Sequence, residues 1–240
     1  MPRRPAPRAE RVATRFGIIQ FPGSCDEVDT LLAASRVGDA ELLWHKDRDL
    51  RGVDVVILPG GFSYGDYLRV GAIVRFAPAM EAVAEHARAG GLVLGICNGF
   101  QVLTEAGLLP GALLPNRNLR FTCRQVDVRV ENTETPFTHE CAPGEILSIP
   151  AKHTTGRYFA PPELLREIED GGQVLLRYAE GHNFNGSVND IAGICNERRN
   201  VFGLMPHPEH AVDPLTGSDD ALKLFSSLAS AAPMTTGAHV

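Results

Sequence analysis

Long apolar runs are missing from this chain: none reaches the roughly 18 residues of a membrane helix, so no transmembrane segment and no membrane partner are expected. Paired cysteines are missing too. The five Cys (25, 97, 123, 141 and 195) are odd in number and widely spaced, and form no C-x-x-C. That argues against a disulfide framework or a structural zinc site, and for a reducing compartment, read here as the cytoplasm. Neither G-x-G-x-x-G nor G-x-x-x-x-G-K-[ST] occurs, which leaves no phosphate-cradling loop of either kind. Positive charge is scarce beyond the first residues. Residues 1–15 hold five Arg against one Glu, which leaves 18 basic and 28 acidic side chains, net −10, over residues 16–240. So acidic a body argues against nucleic acid as the main partner. The Arg/Pro-rich start has no apolar core, so it is not a secretory signal, and it is short for an organelle transit segment; a disordered extension is the plainer reading.

What is present is globular. The 240 residues are 44% hydrophobic and 22% charged, which excludes disorder, collagen and coiled coil as the main character. No internal repeat or linker is visible, and one domain is expected over residues 16–230, followed by a flexible tail at 231–240. Residues 16–20, 41–45, 53–58 and 91–96 read as strands, the last apolar nearly throughout. Residues 26–37, 79–89 and 98–106 read as helices. Continuous apolar strands separated by helices predict an α/β fold, a mostly parallel twisted sheet flanked by helices. The second half changes rhythm. Val126, Val128 and Val130 alternate as in a half-buried strand; residues 173–178, 191–196 and 201–205 are further strands, and Asn185-Gly186 marks a turn, read as a hairpin between two of them. A smaller antiparallel region is expected there, and a closing helix over 218–230.

Three segments carry chemistry. Gly95-Ile-Cys97-Asn-Gly99 joins a buried strand to a helix, the G-x-S-x-G nucleophile elbow with Cys in place of Ser. Read alone, it also fits a small buried Cys in a tight turn. As an elbow it projects Cys97 at the carboxyl end of a parallel strand, where the next helix N-terminus favours negative charge. The Asn98 N–H then points where an oxyanion would form, and Gln101 lies one turn on, facing the same pocket. Pro59-Gly-Gly61-Phe-Ser-Tyr-Gly-Asp-Tyr67 ends a second strand, and its Gly61 N–H is a natural second oxyanion donor. Met205-Pro-His207-Pro-Glu209 supplies a base and its orienter. His207 precedes Pro208 and is expected to be extended, so Glu209 at i+2 reaches back to its ring. His153 and His182 are weaker rivals as bases.

Leu58-Pro-Gly-Gly61, Gly95-x-Cys97-x-Gly99-x-Gln101 and His207-Pro-Glu209 resemble the three blocks of class I (triad-type) glutamine amidotransferases, in the same order. Phe21-Pro-Gly-Ser, Pro59-Gly-Gly-Phe-Ser-Tyr-Gly-Asp-Tyr-Leu, Leu94-Gly-Ile-Cys-Asn-Gly-Phe-Gln and Met205-Pro-His-Pro-Glu are similar to one subfamily, the glutaminase subunits of phosphoribosylformylglycinamidine synthase. The resemblance covers about residues 16–228. Two blocks depart from the family: Ser24 meets Cys25 without the usual intervening Asn, and the family's His-Gly-Glu-Gly-Arg-Tyr appears as His153-Thr-Thr-Gly-Arg-Tyr158.

The resemblance implies a flavodoxin-like fold and hydrolysis of glutamine through a Cys97 thioester. His207 and Glu209 complete the triad, Gly61 and Asn98 form the oxyanion hole, and Gln101 helps to bind glutamine. It implies no cofactor and no metal on this chain. The ammonia goes to a large synthetase subunit that uses ATP and Mg²⁺ to aminate formylglycinamide ribonucleotide, with a small subunit bridging the two. Residues 62–69, aromatic and charged beside the site, are a candidate partner surface. The competing readings are another amidotransferase or γ-glutamyl hydrolase on the same fold, and a non-catalytic binding module.

Overall fold

Residues 13–232 are described by the computed structural model. The first half alternates apolar strands with helices. β1 (Arg15–Gln20) leads through α1 (Glu27–Ala34) to β2 (Asp39–Trp44). β3 (Val55–Leu58) leads through α2 (Pro78–Arg88) to β4 (Leu92–Ile96), and α3 (Asn98–Glu105) follows at once. β3 and β4 are buried along their whole length, as strands covered on both faces must be. Each such Val, Ile or Leu contributes about 1.5–3 kcal/mol by leaving water. The second half adds β5 (Ala112–Pro115), β6 (Thr122–Val130), β7 (Ile146–His153) and β8 (Thr155–Phe159). After α4 (Pro162–Asp170) come β9 (Val174–Tyr178), β10 (Ile191–Cys195), β11 (Val201–Leu204) and α5 (Leu222–Ala231).

Nine strands form one sheet in the order β2-β1-β3-β4-β11-β10-β9-β6-β7, while β5 and β8 pair apart from it. β2, β1, β3, β4 and β11 are mutually parallel. From β11 outward every pairing is antiparallel. The expected α/β class with a smaller antiparallel region is what is found, the antiparallel strands continuing the parallel sheet. The 2-1-3-4 order is of flavodoxin type, which places ligands outside the carboxyl ends of the strands. β7 is last in the order, yet its end returns to the centre: Pro150 O accepts from the His207 N–H at 2.8 Å, and Lys152 O lies 3.9 Å from Cys97 Sγ. Strands sit about 4.8 Å apart in a sheet, so this contact across four intervening strands requires the sheet to curl over its own carboxyl edge.

Four elements differ from the sequence reading by being there at all: β5, β7, β8 and α4. Pro150 inside β7 argues against a strand, and is tolerated because β7 pairs on one side only, with β6. α4 is polar, with only Ile168 buried, and so lacks a broad apolar stripe. The hairpin read at Asn185-Gly186 is absent. β9 and β10 do pair antiparallel, but residues 179–190 join them, and buried Asn185 instead donates to Gly156 O at 2.8 Å. The extension placed at residues 1–15 ends earlier. Arg15 opens β1, its N–H donating to Asp54 Oδ2 at 2.9 Å, and Thr14 Oγ1 donates to Ala229 O at 2.7 Å. The rest of that extension, 1–12, and residues 233–240 of the expected tail lie outside the described residues.

Candidate active site

The loops after β1, β3, β4 and β11 meet at the carboxyl edge of the sheet. Cys97, between β4 and α3, is 5% exposed, with φ 48° and ψ −100°, a conformation costing about 1–3 kcal/mol for a residue other than Gly. Its neighbours hold it there. The Cys97 N–H donates to Leu204 O at 2.8 Å, and Cys97 O accepts from the Gln101 N–H at 3.2 Å. The flanking glycines are required by close approach: a Cβ on Gly99 would lie 2.0 Å from Leu58 O, and one on Gly95 would lie 2.7 Å from the Gly99 carbonyl carbon. The G-x-C-x-G spacing is therefore what lets α3 start against the end of β3.

The loop after β3 arrives from the opposite side. Gly61, at φ +144°, bridges to Ser24 and lines the cavity that holds Cys97. Asn98 is the first residue of α3, so its N–H has no acceptor within the helix. The buried Asn98 side chain ties the two loops together. Its Oδ1 accepts from the Ser63 N–H at 3.2 Å and from the Ser63 hydroxyl, and its Nδ2 donates to Gln101 Oε1 at 2.9 Å. Gln101 lines the cavity, but both ends of its amide are engaged, Nε2 donating to Thr155 O at 2.5 Å.

His207 is buried after β11. Its Nδ1 stands 2.6 Å from Glu209 Oε1, so the ring donates to the carboxylate there, and its Nε2 is buried, with Cys97 as the neighbour that raises the ring's basicity. Burial alone would push the imidazolium down. The Glu209 carboxylate and the negative charge of Cys97 outweigh it, and His207 is pushed up to about 10. The pairing of His207 and Glu209 is as expected, but its route is not. His207 leads into a 3-10 turn (Pro208–His210) and not into an extended segment; the fixed φ of Pro208 suits the first position of that turn, which swings Glu209 under the ring.

Sequence reasoning missed a second layer of charge behind His207. Asp26 follows β1 just as Gly60-Gly61 follows β3, and that strand-end placement was the available signal. It sits at the N-cap of α1 without capping it. Instead its Oδ1 accepts from Lys152 Nζ at 2.5 Å and lies 3.2 Å from His210 Nε2, and its Oδ2 lies 3.6 Å from His207 Nδ1. Burial opposes its charge, but His210, His207 and Lys152 hold its carboxyl well below the usual carboxylate range. Ligand atoms of Asp26, His207, Glu209 and His210 all lie within 4.8 Å of one another, a set compact enough for a metal ion. The Lys152 ammonium, also 3.0 Å from His210 Nε2, already supplies positive charge to that set.

The rival histidines separate. His153 lines the cavity with Nδ1 3.0 Å from Asn116 Oδ1; burial, then the charge of His207, push it down to about 3, so it stays neutral. His182 instead accepts from the Asp127 N–H at 2.8 Å, on the β6 side. The candidate partner loop also divides. Tyr64 is packed, its hydroxyl 2.7 Å from His45 Nδ1, whereas Phe62, Tyr67 and Leu68 are exposed.

A strained cysteine at a strand–helix elbow, a histidine held by an acid and a glycine loop opposite define the class I amidotransferase arrangement, and the chain belongs to that class: it is a member of the CobB/CobQ-like glutamine amidotransferase domain family, whose model matches residues 13–223. Within it, the chain is 60% identical to the phosphoribosylformylglycinamidine synthase subunit PurQ of Rubrobacter xylanophilus over 215 residues, 89% of this chain and 97% of that protein. It is 56% identical to the PurQ subunit of Trichormus variabilis over 216 residues, 89% and 96% of the two chains. Among solved structures, that of PurLQS from Thermotoga maritima is similar, with a TM-score of 0.84 and 43% identity over 90% of this chain and 98% of that one.

Proposed function

We propose that this chain is the glutamine-hydrolysing subunit of phosphoribosylformylglycinamidine synthase, working beside the synthetase subunits of the same complex. The observation that carries this reading is likeness over nearly the full length of PurQ subunits, at 60% identity with that of Rubrobacter xylanophilus. The ammonia passes to the large subunit, which spends ATP with Mg²⁺ to convert formylglycinamide ribonucleotide to the formylglycinamidine; a small subunit bridges the two. The glutaminase steps on this chain call for no cofactor. Among the described residues no helix is long and apolar enough to cross a membrane, and all five cysteines are free, which fits a cytoplasmic setting.

Cys97 attacks the carboxamide carbon of glutamine as the thiolate, its proton already held on the His207 ring. The N–H groups of Gly61 and Asn98 hold the developing oxyanion; one such donor is worth about 10²–10³ in rate. His207 protonates the departing ammonia and then activates the water that cleaves the thioester. Glu209 fixes the ring with Nδ1 as donor and stabilises the imidazolium. Gln101 supports the cavity wall at Thr155. The test is glutamate release from glutamine with and without the large subunit, the small subunit, ATP and formylglycinamide ribonucleotide. Release that rises with the partners is expected; strong release indifferent to them would assign the chain to another amidotransferase pathway.

Glu209→Gln is expected to lower kcat by roughly 10²-fold or more, since the amide neither fixes the tautomer nor balances the imidazolium. The pH dependence of stability should change with it. His207 is held at about 10, above an unfolded value of about 6.5. Its contribution is therefore complete below about 6.5 and is lost as pH rises through about 10. Denaturant titrations of the wild type should show stability declining over that window, and Glu209→Gln should flatten the decline.

A further inference from the structure

The loop after β3 is bent by successive residues in the left-handed region: Tyr64 at φ 55°, Gly65 at 74°, Asp66 at 55°, then Leu68 at 68°. Only one of the four is glycine, so the conformation is costly and must be imposed from outside. The Tyr64 hydroxyl against His45 Nδ1 at 2.7 Å and the Ser63 bonds to Asn98 impose it. The result is that Asp66 lines the same cavity as Cys97 and Gln101.

Charge bookkeeping in that cavity leaves one group over. Asp26 has the Lys152 ammonium, His207 has Glu209, and His153 is neutral. Asp66 has no such counterpart among the described residues: its Oδ1 is buried without a hydrogen-bond partner. A buried acceptor left unmatched is costly unless a ligand completes it. Burial pushes the Asp66 carboxyl up to about 6, so near neutral pH it is largely ionised and gains from any cation that enters. Glutamine brings its reacting carboxamide to Cys97 at one end and an ammonium at the other.

We propose that Asp66 receives the α-ammonium of glutamine and so selects an α-amino acid amide over other primary amides. The proposal rests on the reading of the cavity as a glutamine site. It gives the strained loop a purpose: the loop carries both an oxyanion donor, Gly61, and the group that fixes the far end of the substrate. The acyl carbon is then held between the two.

The test compares two substrates in the assembled complex with its synthetase partners. One is L-glutamine, read as glutamate; the other is 4-carbamoylbutanoate, which is glutamine without its amino group, read as glutarate. Asp66→Asn, nearly isosteric, should lower kcat/KM for glutamine about 10- to 100-fold, mostly through KM, the size of one charge-assisted hydrogen bond. The preference for glutamine over the des-amino amide should shrink by the same factor, and Asp66→Glu should restore part of it. An equal fall on both substrates would mean that Asp66 only shapes the loop, and an unchanged preference would mean that the ammonium binds elsewhere; either overturns the proposal. If the wild type released no more glutamate than Cys97→Ala, the glutamine reading itself would fail, an outcome distinct from both.

Discussion

Cys97→Ala releases no glutamate above the blank, a fall of at least about 10⁴-fold, while the protein stays folded. The chemical side of this expectation follows from the proposed mechanism, in which the Cys97 sulfur is the nucleophile and His207 its base; among the described residues the other thiol lining the cavity, Cys25, is exposed. Removing a nucleophile that acts as one unit with its base costs nearly the whole catalytic effect. The structural side follows from packing. The substitution removes one buried sulfur, whose contact with Lys152 O is a long one, 3.9 Å. The backbone bonds of residue 97 to Leu204 and Gln101 need no side chain. A loss of about 1 kcal/mol corresponds to a Tm shift of about 2–4 °C for a chain of this size. Glutamate release and a circular-dichroism melt check both halves; release at the wild-type rate would remove Cys97 from the mechanism.

Gly99→Ala should be the most damaging single methyl in the molecule. Its Cβ would stand 2.0 Å from Leu58 O and 2.7 Å from the carbon behind it. Both belong to the backbone of β3, buried in the middle of the sheet, so nothing nearby can rotate out of the way. The start of α3 must lift off β3 instead, carrying Cys97, Asn98 and Gln101 with it. Overpacking of this kind costs about 3 kcal/mol or more, a Tm fall of about 6–12 °C. Even in the surviving folded fraction, a nucleophile displaced by about 1 Å loses about 10² in rate. A variant with wild-type Tm and activity would show that the elbow is looser than its contacts imply.

The parallel half of the fold was legible because its strands carry a local signal. Residues 55–58 and 92–96 are apolar without interruption and stand next to glycine turns, and sequence reading placed them within two residues of their observed bounds. The proposed triad was legible for the same reason: Cys97, His207 and Glu209 each follow such a strand. Asp26 and Lys152 were not, since what marks them is contact across more than a hundred residues of chain. β7, which brings Lys152, carries a proline, and only the one-sided pairing of that strand makes the proline acceptable. Asp66 lay inside a segment already singled out, residues 62–69, but nothing local distinguishes an exposed loop carboxylate from one turned into a cavity by left-handed neighbours. Tyr64 shows the converse: it reads as a surface aromatic, yet is fastened to His45.

The seating of β11 beside β4 has a consequence for how the protein is born. The ribosome delivers Cys97 well before His207 and Glu209, because β11, although it is the next-door neighbour of β4, is encoded near the far end of the chain. Until it emerges, β4 is an open, wholly apolar edge, a template for mispairing that a chaperone would have reason to cover. Over the same interval the thiol has no base. On the proposed mechanism an unfinished chain is therefore chemically silent towards glutamine, because the pairing of β11 with β4 is what brings His207 and Glu209 to Cys97.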